Sequence, residues 1–92
     1  MADFTVRVEL HNAKSEDYEK LHESMAAQGY SRIIQDSAGT RFYLPSAEYV
    51  AIKSIACGQV RDQVVGIATS IKVNPRVLVT QVADRSWSLV KV

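Results

Sequence analysis

Cysteine is almost missing from this chain: Cys57 is the only one in 92 residues. An intrachain disulfide is therefore excluded, and a thiolate zinc site lacks ligands. Histidine is nearly as scarce, with only His11 and His22. Two histidines without cysteines or a nearby acidic cluster make a poor ligand set, so no metal is assigned. An excess of charge of one sign is also lacking. Lys and Arg number 11 against 10 Asp and Glu, for a net charge of +1. Nucleic-acid binding would therefore need a local patch, because no global field supplies it. No apolar run approaches the about 18–20 residues that span a membrane. The four glycines form no phosphate-cradling loop. Neither paired catalytic carboxylates nor a nucleophile elbow is present. No cofactor and no small-molecule substrate is expected. Met1-Ala2-Asp3 leads straight into a strand pattern, without the basic and long apolar regions of a signal peptide, so a cytoplasmic protein is expected.

What is present reads as one domain over residues 1–92, with 47% hydrophobic and 23% charged residues. So short a chain has a small core, and a homodimer would add burial. Phe4, Val6, Val8 and Leu10 alternate with Thr5, Arg7 and Glu9, the period of a strand with one buried face. Ser15 is a candidate N-cap. Behind it Tyr18, Leu21, His22, Met25 and Ala26 define the apolar stripe of a first helix, which Gly29 ends as a C′ residue. Tyr30–Gln35 and Thr40–Leu44, joined by Asp36-Ser37-Ala38-Gly39, read as a hairpin. Pro45 interrupts the second strand, and the alternation resumes at Tyr49–Lys53; a short helix from Ser46 is the alternative. Ser54 or Gly58 opens a second helix with Val60, Val64, Ile67, Ala68 and Ile71 on its buried side. Arg76–Val82 is a last strand, apolar on both faces and so expected to be covered on both. Arg85–Val92 alternates weakly, as a strand-like tail that would extend a neighbouring sheet or a dimer mate. This order predicts an α+β, ferredoxin-like βαββαβ sandwich: an antiparallel sheet with two helices on one face.

His22 lies beside an apolar stripe, where it either covers core or acts as a general acid or base. Arg32 and Arg41 would lie on facing strands of the hairpin, with Arg7 on the same sheet surface and Tyr30 and Tyr43 nearby. Such a set suits phosphates and stacked bases of single-stranded RNA. The bland reading is a solvated face with Glu9 and Asp36 as acid partners. Cys57 near a helix start is read as a small buried hydrophobe, and Trp87 as a packing anchor.

Several stretches together resemble the GhoS-type antitoxins of type V toxin–antitoxin systems. They are the opening strand, Tyr18-Glu19-Lys20-Leu21 into Ser24-Met25, and Gly29-Tyr30-Ser31-Arg32-Ile33-Ile34. Leu44-Pro45, Glu48-Tyr49 and Val77-Leu78-Val79-Thr80 complete the set. The resemblance covers nearly the full chain and rests on spacing rather than on one motif. It implies a ferredoxin-like fold similar to the small CRISPR-associated nucleases. It also implies an endoribonuclease that cuts the single-stranded messenger of a membrane-acting toxin. Those nucleases place an aspartate at the end of strand one; here His11 stands there, with Glu9 before it. The antitoxins' basic position on helix one is matched by His22. Cleavage can proceed without metal, since the 2′-hydroxyl is an internal nucleophile. The candidates for such a cut are His11, His22 and Arg32, while the hairpin and sheet surface offer Arg7, Arg32, Arg41 and Tyr43 as RNA contacts. The competing expectation is a catalytically silent dimeric interaction or RNA-binding module of the same fold.

Overall fold

The structure is a computed structural model that describes residues 1–92. The regular opening alternation forms β1 (Ala2–Glu9), the central strand of a three-stranded antiparallel sheet. It is flanked by β4 (Glu48–Lys53) and β5 (Arg76–Gln81). Phe4, Val6 and Val8 are buried on one face, and their cross-strand neighbours Tyr49 and Ala51 are buried with them. Helices α1 (Ser15–Ala27) and α2 (Cys57–Thr69) cover that face through Leu21, Met25, Val60, Val64 and Ala68, which join the same core. The result is an α+β fold in two layers.

At the N-terminus of each helix a side chain from the first turn takes up the amide of the residue before it. At α1 the cap is Asp17, whose carboxylate accepts from the Lys14 amide at 2.9 Å; Ser15 is already helical and caps nothing. At α2 the Gln59 side chain accepts from the Ala56 amide at 2.9 Å, so the helix starts between the two residues read as openers. The C-terminus of α1 closes as a Schellman motif. Gly29 sits at φ +87°, its amide bonds Ala26, and the Tyr30 amide bonds Met25 at 2.9 Å. The Lys53 ammonium donates to the Gln28 carbonyl and lies 4.7 Å from the centre of the Tyr30 ring.

A second, two-stranded sheet is the hairpin of β2 (Ile33–Gln35) and β3 (Arg41–Tyr43). Its turn is tied by Asp36, which accepts from the Ala38 and Thr40 amides, with Gly39 at φ +87°. The hairpin is anchored to the main sheet by a bridge between Ser31 and Val50.

Two readings of the sequence are corrected. Residues 40–53 are two strands with different partners rather than one interrupted strand; they separate at Pro45, with Ala47 turned to φ +60°. Arg76–Gln81 is covered on one face only: Val77 and Val79 pack on the core, while Leu78 is 64% exposed. A strand apolar on both sides need not be buried on both, because the helices reach only one layer. The tail after Arg85 forms no regular strand, but it does add to a neighbouring sheet, bridging to β3 of its own chain through Phe42 and Lys91. There Trp87 meets Phe42 edge-on at 5.9 Å between ring centres, and the Arg85 guanidinium binds Asp3 and Thr5. In the hairpin Arg41 pairs with Gln35, and Arg32 lies just before β2. No helix is long and apolar enough to cross a membrane.

Candidate nucleic-acid interface

A cleft of about 580 Å³ opens between the second half of α1 and the hairpin. His22, Glu23 and Ala26 line it from α1, Arg32 from the bend before β2, Ile33 from the start of β2, and Tyr43 from β3. The Schellman turn makes this possible: it reverses the chain at Gly29, so residues 30–33 run back beside the helix they left.

At the inner end lies a partly buried polar contact. The Tyr49 side chain comes from β4 and is 0% exposed; its hydroxyl meets Nδ1 of His22 at 2.5 Å. Tyr18 stacks obliquely on the other side of the imidazole, at 6.4 Å between ring centres, and its own hydroxyl accepts from the Leu10 amide. Burial, followed by the nearby Arg32 guanidinium, holds the His22 imidazole below its ordinary value, with Glu19 opposing. Burial also pushes the Tyr49 hydroxyl up to about 12, against the pull of Arg32. The pair is therefore neutral at physiological pH: an imidazole held by a phenol, with a fixed cation at the mouth.

Arg32 and Tyr43 join His22 in the cleft. Arg41 shares an outward face of β3 with Tyr43, two residues or about 7 Å along the strand. Register separates Arg41 from Arg32, because Leu44 bonds Arg32 while Arg41 faces Gln35. Arg7 stands elsewhere, on the helix-free face of β1 beside Glu48 and Leu78. His11 is exposed in the turn after β1 and does not line the cleft. Tyr30 edges the cleft, but its ring is core and its hydroxyl is spent on Gln63 at 2.5 Å, so it offers no stacking face.

The acid partners of the bland reading are engaged elsewhere. Asp36 holds its turn, and Glu9 lies 3.6 Å from Arg76. Of the six arginines, Arg61, Arg76 and Arg85 are paired with carboxylates, while Arg7, Arg32 and Arg41 form no ion pair. No three His, Cys, Asp or Glu side chains converge as a metal-binding group. The residue missed from sequence is Tyr49. Its alternation with Ala51 marks a buried face, but nothing local shows that its hydroxyl ends on a histidine 27 residues away. No protein-family model matches this chain, and no curated protein matches it.

Proposed function

We propose that this protein is a ferredoxin-like module that binds single-stranded RNA, with the cleft between α1 and the hairpin as its principal contact. The observation that carries the reading is the company of Arg32. It is an unpaired guanidinium beside a half-buried imidazole, with the half-exposed Tyr43 ring on the opposite wall. Arg41 extends the positive track past Tyr43. Cations that follow a backbone, interleaved with an aromatic face, suit an unpaired strand. The ferredoxin-like reading is supported by sheet order. With β3 set aside as part of a hairpin, the Ser31–Val50 bridge continues the sheet as β5-β1-β4-β2.

Between a cutting antitoxin and a silent binder of the same fold, the geometry favours the binder. Acid–base cleavage asks for two proton-transfer groups around the 2′-hydroxyl. His22 is one candidate, but His11 does not line the cleft, and Glu23 is the only carboxylate that does. The homodimer expectation draws support from Leu78 and Ile52, which stand 64% and 63% exposed on the helix-free face.

The test is a titration of fluorescent oligouridylate with purified protein, beside a cleavage assay on a mixed single-stranded RNA pool with and without chelator. Arg32→Ala and Tyr43→Ala should each weaken binding by about tenfold, the scale of one lost stacking or guanidinium contact. Glu23→Gln should strengthen it by removing a like charge from the path of the phosphates. Binding unchanged in both alanine variants would refute the cleft as the interface. Cleavage by the wild type, lost in folded His22→Ala, would replace the silent reading with the GhoS-like endoribonuclease.

A further inference from the structure

We infer that Tyr49 is a positioning residue that holds His22 as an Nε2–H donor, so that His22 and Arg32 together present only donors and select an oxyanion such as a phosphodiester oxygen. The ligand half of this inference rests on the RNA reading; the tautomer half stands without it.

The argument is a count of hydrogens. A neutral imidazole carries one N–H, and a phenol carries one O–H. The Tyr49 side chain is fully buried, and its hydroxyl makes one hydrogen bond, to His22 Nδ1. If Tyr49 donates, Nδ1 is bare, the ring hydrogen sits on Nε2, and both groups are satisfied. If Nδ1–H donates instead, the phenolic hydrogen is left buried without an acceptor. An unmet buried donor is penalised strongly enough to disfavour that arrangement by about tenfold or more. The Tyr49 hydroxyl forms no other hydrogen bond in the structure. Protonating the ring would oblige Tyr49 to turn and accept, which recreates the orphan hydrogen.

With Nδ1 engaged on β4, Nε2 is the ring nitrogen left for the cleft. It offers a hydrogen, and so does every nitrogen of Arg32 that carries one. This corner therefore fits an oxygen acceptor and rejects a donor such as an amine. It also explains why His22 is a poor general base here: its free nitrogen already holds a proton.

The experiment uses the full chain labelled with ¹⁵N at histidine, observed by long-range proton–nitrogen correlation at neutral to mildly alkaline pH. The expected spectrum has His22 as the Nε2–H tautomer, with an Nδ1 resonance shifted as a hydrogen-bond acceptor. In Tyr49→Phe, with amide dispersion retained, that Nδ1 resonance should move to its free value. An Nδ1–H tautomer in the wild type overturns the inference, as does an Nδ1 resonance that Tyr49→Phe leaves in place. Should the variant fail to fold, a slowly exchanging phenolic proton correlated with His22 Nδ1 in the wild type supports the assignment, and its absence overturns it. Oligouridylate is then added to the labelled wild type. Movement of the Nε2–H resonance on binding supports the ligand half, and binding without movement overturns it. Failure to bind oligouridylate at all sinks the RNA reading and the ligand half together, while the ligand-free spectrum still decides the tautomer.

Discussion

At the scale of single residues, His22 makes the folding of this chain sensitive to acid. Burial and then Arg32 hold its folded-state value below the ordinary 6.5, whereas in the unfolded chain it returns to 6.5. As pH falls, the unfolded chain takes up this proton first. The contribution of His22 is therefore intact above 6.5 and is lost as pH drops through the folded-state value. The melting temperature should fall between neutral and mildly acidic buffer, and His22→Gln should reduce that fall. Equal pH dependence in the two proteins would refute the assignment. From the sequence His22 is legible as a boundary residue on an apolar stripe, because helical period alone puts it beside Leu21 and Met25. Its hydrogen-bond partner is not legible, because Tyr49 belongs to another element.

At the scale of elements, two glycines separate local from tertiary demands. Gly29 occupies φ +87°, where a side chain is strained whatever the space. Gly29→Ala should destabilise by about 1 kcal/mol, since the Schellman turn needs the left-handed conformation. The nearest atom to the new methyl is the Lys53 ammonium at 3.2 Å, the mobile end of a long side chain, so backbone strain dominates. Gly66 is the opposite case. It lies inside α2 with no positive φ, and a methyl there would meet nothing within 4 Å. Gly66→Ala should stabilise by about 0.5–1 kcal/mol, the helix-propensity difference. Urea unfolding of both variants reads the two signs. Local chemistry made the helix faces, the hairpin turn and the Pro45 break readable in advance. The caps are not legible locally, because Asp17 and Gln59 reach back from inside their helices, and Ser15 and Ser54, the better cap formers by type, are not used.

For the whole molecule, the tail is the last piece of the architecture. Arg85 binds Asp3 at 3.1 Å and Thr5 at 2.8 Å on the helix-free face, Trp87 packs on Phe42, and the Tyr43 and Val92 amides bond Val90 and Arg41. These contacts fasten a three-residue-strand hairpin that is too small to be stable alone. Deleting residues 85–92 should speed amide exchange across β2 and β3 while β1, β4 and α2 keep their protection. Unchanged exchange at Phe42 would show that the tail holds nothing. The same contacts bear on assembly, since the tail spends its pairing capacity within the chain and leaves Leu78 and Ile52 as the apolar part of that face. If a homodimer forms there, Leu78→Lys should shift sedimentation to the monomer mass.

Local sequence pattern sets most of the elements: the strand period from Phe4 to Leu10, two apolar helix stripes, the reversal at Gly29 and the break at Pro45. These follow from side-chain period and backbone sterics, which act over a few residues. Long-range packing sets the register that parts Arg32 from Arg41, the return of the tail to β3, and the meeting of His22 with Tyr49. Those outcomes depend on which distant polar groups and apolar faces satisfy one another once the core closes, and no local pattern encodes that choice.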